Sequence, residues 1–183
     1  MDNKFGNKSY NNNPKNQSSQ NSNSHNRHEQ YSKKVLDADS KNFINSIKYY
    51  DEIGEAKNIN VNLFSEKAEE IVNQIAKRGS TCTGKEGQNK ITQLRRFYND
   101  ILTIKNKIEY SKNPELEFQK ELPYIKMIAA KANYACQRDH ITMFLNEFIK
   151  HNVLNLVKTN KDYNIFCTLF ESIIAYSTGT LPK

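Results

Sequence analysis

Cysteines are too few and too widely spaced for a disulfide framework or a zinc site. The 183-residue chain has three, Cys82, Cys136 and Cys167, and none belongs to a C-x-x-C pair. This odd set predicts three reduced thiols. Cys136 and His140 are four residues apart, a spacing that can present two metal ligands on one helix face. No second pair accompanies them, so we favour a packed thiol beside a surface imidazole and expect no metal.

The sequence also lacks long apolar runs and catalytic patterns. No stretch of about 18 apolar residues is present, so we expect no bilayer span. The first thirty residues have no apolar segment typical of a secretory signal, which predicts a cytoplasmic protein. Acidic residues are scattered, and no Ser-His-Asp or Cys-His pairing stands out. We therefore expect neither an enzyme nor a cofactor.

Residues 1–34 are dominated by Asn, Ser, Gln and Lys and have almost no aliphatic side chains. Such a segment cannot bury enough surface to offset the entropy of ordering, which predicts a disordered low-complexity tail. Residues 35–183 are then left as one domain with a core of its own. The whole chain has a net charge of +7, which favours polyanionic partners, with nucleic acid first and an anionic membrane second. Of these two we expect nucleic acid and no membrane partner.

Beyond the tail, apolar side chains recur at intervals of three and four, the period of a helix. The predicted helices cover about 65–78, 90–113, 122–138, 140–150 and 166–179, after a weakly marked segment at 43–50. No segment alternates as a strand does. The sequence therefore predicts an all-α fold, a single compact bundle of about five helices preceded by the disordered tail.

Four residues mark the expected helix ends. Gly79 follows the first strong stripe as a C′ glycine, and Pro114 supplies the stop of the next helix. Pro123 fits a first-turn position, and Asp139 fits an N-cap.

The segment from Gly79 to Lys85 almost matches the phosphate-binding pattern G-x-x-x-x-G-K-[ST]. That motif requires a buried strand before the first glycine and a helix opening at the lysine. Here a helix precedes Gly79, and Glu86 replaces the hydroxyl residue. We therefore interpret the stretch as a linker, although a nucleotide-binding enzyme remains an alternative.

Basic residues cluster in and after this linker. Lys85, Lys90, Arg95 and Arg96 lie within twelve residues, and such a group can follow a phosphate backbone. A solvated helix face with an internal Arg96–Asp100 pair explains the same charges equally well. The tyrosines fall mostly at core spacing, but Tyr98 and Tyr134 lie near basic residues and are the exceptions we keep for contact with bases.

Three stretches resemble one known family. They are KITQLRRFYNDI at 90–101, LPYIKMIAAKANYACQR at 122–138 and FCTLFESIIAYS at 166–177. Together they are similar to the small helical subunit of the type III-A CRISPR effector, the Csm complex, over about residues 62–178. Ser172, where an alanine is expected, and the long tail depart from the family's pattern.

The resemblance implies a non-catalytic subunit that stacks in several copies beside the repeated backbone subunits and touches target RNA paired to the guide RNA. It favours RNA contact by Lys85, Lys90, Arg95 and Arg96, with Lys126, Lys131 and Arg138 as a second group. Arg95 could instead pair with a buried acid such as Glu171. The competing hypothesis is a helical protein-protein adaptor that makes no RNA contact.

Overall fold

The structure is a computed structural model that describes residues 35–53 and 56–183. The predicted disordered tail, residues 1–34, lies outside the described residues. Six α-helices account for most of the described chain. They are α1 (Ala38–Asn45), α2 (Glu66–Ala76), α3 (Ile91–Glu109), α4 (Pro114–Gln137), α5 (Met143–Lys150) and α6 (Asn160–Ser177). The prediction of an all-α bundle is confirmed, with six helices in place of about five.

Irregular helices and short hairpins join these helices. A 3-10 helix, Val61–Phe64, precedes α2, and a π-helix, His151–Leu156, continues α5. Two antiparallel hairpins also form. They pair β1 (Tyr50–Ile53) with β2 (Ala56–Ile59), and β3 (Gly79–Ser80) with β4 (Glu86–Gly87). The sequence predicts no strands, and this prediction is wrong for these four because strands of two to four residues are too short to show alternation.

The first hairpin is attached to the bundle by neighbouring tyrosines. Tyr49 Oη donates to Asn152 Oδ1 at 2.8 Å, and Tyr50 Oη donates to Asp162 Oδ1 at 2.7 Å. The spacing of apolar residues places Tyr50 in a helix, but α1 ends at Asn45. The two hydroxyl bonds explain the difference, because Tyr50 reaches a partner on α6 from an extended strand.

The core lies between α2 and the four helices that follow it. The predicted stripe of α3 is buried throughout, at Leu94, Phe97, Ile101, Ile104 and Ile108. Large side chains of the later helices pack against it, and these are Phe118, Phe148, Tyr163, Phe166 and Phe170. Each such burial contributes about 1.5–3 kcal/mol relative to exposure, so the packing of these helices stabilises the fold strongly.

Helix α4 begins earlier than predicted. Pro114 is its first residue, not the stop of α3, and the Asn113 side chain accepts a hydrogen bond from Leu116 N at 3.1 Å. A proline fits this position because the first N–H groups of a helix have no intrahelical acceptor. Pro123 consequently lies inside α4, not in its first turn, and its missing N–H leaves the helix one hydrogen bond short there.

Two further helix starts differ from prediction. Asp139 does not cap α5, because Thr142 takes that place and Leu145 N donates to its hydroxyl at 3.5 Å. Asp139 instead has a positive φ of 59° in the turn between α4 and α5. Helix α6 begins at Asn160, earlier than predicted, and Thr159 with Asp162 forms a capping box at its start.

The second hairpin replaces the expected helix end at Gly79. Helix α2 ends at Ala76, and Gly79 lies in β3 opposite Gly87. Gly84 takes a φ of 87° at the turn, a conformation that glycine adopts without strain. A Cβ added at Gly87 would lie 2.7 Å from Thr81 Cγ2, so a larger residue there would have to displace the buried Thr81 side chain.

Cys82 and Cys136 form a disulfide, which corrects the prediction of three reduced thiols. The hairpin folds back onto the end of α4 and brings the two Cα atoms to 5.2 Å, although 54 residues separate the cysteines. Cys167 is a buried free thiol. Burial raises the pKa of this thiol to about 12, so it stays protonated near neutral pH.

Candidate nucleic-acid interface

Two ion pairs show how α3 and α4 lie against each other. Lys131 Nζ is 2.8 Å from Asp100 Oδ2, and Lys107 Nζ is 3.4 Å from Glu121 Oε1. Residue numbers rise along α3 while they fall along α4, so the helices are antiparallel. The first half of α3 therefore lies beside the second half of α4. We call this end of the helix pair, with the β3–β4 hairpin, the basic end.

Asp139 fixes the hairpin against the basic end. Its Oδ1 accepts hydrogen bonds of 2.5 Å from both Thr81 Oγ1 and Thr83 Oγ1, and its Oδ2 lies 3.1 Å from Lys85 Nζ. The hydroxyl of Thr81 first, then that of Thr83, and the Lys85 ammonium lower the pKa of the Asp139 carboxyl to about 2. The carboxylate thus remains charged at any ordinary pH and holds a loop that carries a basic residue.

Two more contacts hold the same loop. The Cys82–Cys136 disulfide ties it to the last turn of α4. Asn89, fully buried, donates to Ile75 O at 2.8 Å and accepts from Thr142 N at 2.9 Å. These bonds link the end of α2, the start of α5 and the residues that lead into α3. The position of the loop is therefore set by the bundle.

Arg95 and Arg96 are exposed on α3. Neither pairs with an acidic side chain of the described residues. The Arg96–Asp100 alternative is wrong, because Asp100 binds Lys131 instead. The Arg95–Glu171 alternative is also wrong, because Glu171 is exposed and makes no ion pair with it. Helical spacing places Arg96 on the flank toward α4, and Arg95 faces outward on the other flank.

Four other predicted residues lie at the basic end. Lys90 is exposed immediately before α3, and Lys85 is exposed in the hairpin. Lys131 is exposed on α4. Arg138 is exposed immediately after α4, and its guanidinium carbon lies 6.0 Å from the centre of the Tyr134 ring. The structure therefore brings six of the seven predicted basic residues to one end of the α3–α4 pair.

Lys126 is the exception. Its side chain is half-buried, and Nζ donates to Val157 O at 3.0 Å and to Val153 O. Burial, followed by the charge of Lys158, lowers the pKa of Lys126. The ammonium binds carbonyls at the end of the π-helix, so Lys126 has a structural role. Its contact with RNA stays a prediction that this geometry does not favour.

The two tyrosines kept for base contact differ in position. Tyr98 is half-buried and stacks on Phe170, with ring centres 6.5 Å apart and an angle of 3° between the planes. Burial is also the first cause that raises the pKa of its hydroxyl. Tyr134 is 64% exposed on the outer face of α4. Tyr98 is therefore a packing residue, and Tyr134 has an open ring.

The near match to a nucleotide-binding loop lacks the necessary geometry. A helix precedes Gly79, the glycines and Lys85 belong to a hairpin, and the next helix begins only at Ile91. Lys85 pairs with Asp139 in the hairpin and does not stand at the first turn of a helix, as the lysine of that motif does. The interpretation as a linker is confirmed.

Other site classes are equally unsupported by the described residues. They hold no cluster of three or more His, Cys, Asp or Glu side chains suited to a metal, and the sulfur of Cys136 is bonded to Cys82. No helix among them is long and apolar enough to cross a membrane. A cavity of about 660 Å³ is lined by residues that include Asp37, Lys77 and Phe144, but by none of the seven predicted basic residues.

Sequence reasoning missed the residues that position the basic end, namely Thr81, Thr83, Asn89 and Asp139. Their partners lie between 14 and 58 residues away in the chain. Local spacing carries no signal for such contacts. The positive charges were visible in the sequence, whereas the groups that hold them were not.

Comparison with known proteins identifies one relationship. The family described as Csm2 Type III-A matches residues 65–178, which is more than half of the chain. The matched range contains helices α2 to α6 and the β3–β4 hairpin. No curated protein and no solved structure matches the chain.

Proposed function

Because the chain belongs to the Csm2 Type III-A family, the small subunits of the type III-A CRISPR-Cas Csm effector complex, we propose that it contacts the backbone of guide-target RNA. In this proposal it is a non-catalytic, cytoplasmic subunit that stacks in several copies beside the backbone subunits. Its partners are the guide RNA, the target RNA and other subunits of the complex, including copies of itself.

One observation carries the RNA proposal. Six basic side chains gather at one end of α3 and α4, and the two arginines on α3 have no acidic partner among the described residues. Arginine and lysine pair with phosphates without reading sequence. Base pairing with the guide can supply the sequence recognition, as in other RNA-guided systems. A small subunit that only follows the backbone is consistent with both facts.

A protein-protein adaptor is the second candidate function. It is favoured by exposed apolar side chains at the opposite end of the helix pair, where Tyr110 is 86% and Leu116 is 54% exposed. Large exposed apolar residues grouped together are typical of protein contacts. The two functions are compatible, because the basic end and this apolar end are separated by the length of α3.

The salt dependence of binding tests the RNA contact. We would measure the affinity of the full chain for a guide-target RNA duplex between about 50 and 200 mM salt. Each phosphate contact contributes about 0.7–0.9 to the slope of log affinity against log salt, so Arg95→Ala with Arg96→Ala should make the slope shallower by about 1.5. Circular dichroism would verify that the variant is folded.

A matched control removes the same charge elsewhere. Lys112 and Lys120 are exposed near the other end of the helix pair. Their double alanine variant should leave the slope within about 0.3 of the parent's, because neither lysine lies at the basic end. An equal change in both double variants would show only a net-charge effect. If the arginine variant keeps the parent's slope but no longer joins the other effector subunits, the adaptor function replaces RNA contact.

A further inference from the structure

The outer face of α4 carries an unusual mixture of side chains. Exposed residues recur at intervals of three and four along it, which places them in one stripe. From the first to the last they are Tyr124, Met127, Lys131, Tyr134 and Arg138. None of them belongs to the hydrophobic core. The stripe ends at the basic end, where aromatic and cationic groups alternate.

Tyr134 and Arg138 form the clearest unit of this stripe. The guanidinium lies 6.0 Å from the ring centre, and Tyr134 remains 64% exposed despite this contact. A cation also lies beside the first ring of the stripe, since Lys107 Nζ is 5.7 Å from the ring centre of Tyr124. An open aromatic ring beside a cation is one arrangement by which proteins bind unstacked bases, with the ring against the base and the cation beside the phosphate.

The charge around Tyr134 distinguishes between possible partners. Two acids of this end are paired, since Asp100 binds Lys131, and Asp139 binds Lys85 together with two threonine hydroxyls. Arg138, the cation beside the ring, has no acidic partner among the described residues. An apolar protein partner would have to bury the Arg138 guanidinium at a cost in desolvation, whereas RNA matches both its charge and the ring.

We propose that Tyr134 is a stacking contact for an unstacked base of single-stranded RNA, and that Arg138 binds the adjoining phosphate. This inference rests on the proposed RNA function and adds a contact to the base, which the six basic side chains alone do not provide. Stacking on a ring does not depend on which base is present. The contact therefore strengthens binding without reading sequence.

The absence of tryptophan from the chain makes the contact directly measurable. The Tyr134→Trp variant carries one tryptophan. A base that stacks on this ring quenches its fluorescence. Unlabelled oligouridylate is the probe, because uridines stack weakly on each other and leave their bases available. We expect quenching in Tyr134→Trp and none in Tyr110→Trp, the matched variant at the opposite end, where the native side chain is 86% exposed.

Affinity gives a second readout. Tyr134→Leu should bind oligouridylate about tenfold more weakly than the parent, a typical loss for one base on one ring. Tyr134→Phe keeps a ring and should bind as the parent does, and so should Tyr110→Leu. Light scattering should give the same molar mass for Tyr134→Leu as for the parent, because the substitution should not change the oligomeric state.

Three results would overturn the inference, and each has a different consequence. If Tyr134→Leu binds as the parent does and salt still weakens binding, the stacking contact is wrong while phosphate contact stands. If the parent binds neither oligouridylate nor the guide-target duplex, the proposed function fails and the inference fails with it. If Tyr134→Leu changes the oligomeric state, the stripe is an interface between copies of this chain.

Discussion

Removal of the Asn89 side chain should destabilise the protein more than any surface change. Asn89 is fully buried and joins three parts of the fold through one amide. Its Nδ2 donates to Ile75 O at 2.8 Å and to Thr142 Oγ1 at 2.9 Å, and its Oδ1 accepts from Thr142 N at 2.9 Å. The Asn89→Ala variant loses all three hydrogen bonds at once.

The expected loss follows from what remains unpaired. Ile75 O and Thr142 N are backbone groups that lose the amide as their partner in the variant. Each neutral hydrogen bond contributes about 1 kcal/mol, and a buried group left without a partner costs about 1–3 kcal/mol. We therefore expect the free energy of unfolding to fall by roughly 3 kcal/mol. For a chain of this size the Tm should fall by about 6–12 °C.

Urea denaturation followed by circular dichroism measures this loss. The midpoint should decrease while the m value stays constant, since the surface exposed on unfolding is unchanged. Gln88→Ala is the matched control, because Gln88 is exposed and its Nε2 is 3.5 Å from Ala76 O. It should change stability by less than about 0.5 kcal/mol. A loss below about 1 kcal/mol in Asn89→Ala would refute the view that this amide joins α2 to α5.

Two further predictions concern the disulfide and acid unfolding. Alkylation of the unfolded protein without reductant should modify Cys167 alone, and three adducts would contradict the Cys82–Cys136 bridge. Although burial opposes it, hydrogen bonds from Tyr50 and from the backbone of residues 158 and 159 lower the pKa of Asp162. The stability that Asp162 contributes is therefore present above the ordinary aspartate pKa of about 3.9 and is lost as the pH falls toward its lower folded value. Asp162→Asn should lower stability at pH 7 and reduce the slope of stability against pH in acid, and a slope equal to the parent's would contradict this assignment.

The helices that the sequence predicts well are those with long apolar stripes. Five positions on α3, from Leu94 to Ile108, repeat at three and four, and all five are buried. A stripe of this length fixes which face of the helix is buried, because turning the helix by half a turn would expose all five side chains. Local spacing therefore determines both the helix and its inner face.

The ends of helices are predicted less well, because one residue can serve two purposes. Pro114 can stop the preceding helix or begin the following one, and both positions tolerate a missing N–H. Its neighbour Asn113 caps α4 by accepting a hydrogen bond from Leu116 N, so Pro114 begins the following helix. Asp139 and Thr142 are both acceptable N-caps by residue type. The structure uses Thr142, because the Asp139 carboxylate is engaged by the hairpin.

The disulfide and the hairpin depend on tertiary contacts. Cys82 and Cys136 are 54 residues apart and become neighbours only when the hairpin lies on the end of α4. An odd number of cysteines and no short spacing made reduced thiols the reasonable prediction. The same folding back places Lys85 beside Asp139, so one packing event creates both the bridge and part of the basic end.

Lys126 shows how the predicted site could have been improved from the sequence alone. Lys131 and Arg138 are seven residues apart and share a helix face, since seven residues make almost two full turns. Lys126 and Lys131 are five residues apart, which places them about 140° from each other around the helix. Lys126 must therefore face elsewhere if Lys131 is on the outside. In the structure it does, since its ammonium binds the carbonyls of Val153 and Val157. Basic residues on a helix should accordingly be grouped by shared face, and by this criterion Arg138, Tyr134 and Lys131 belong together while Lys126 belongs to the fold.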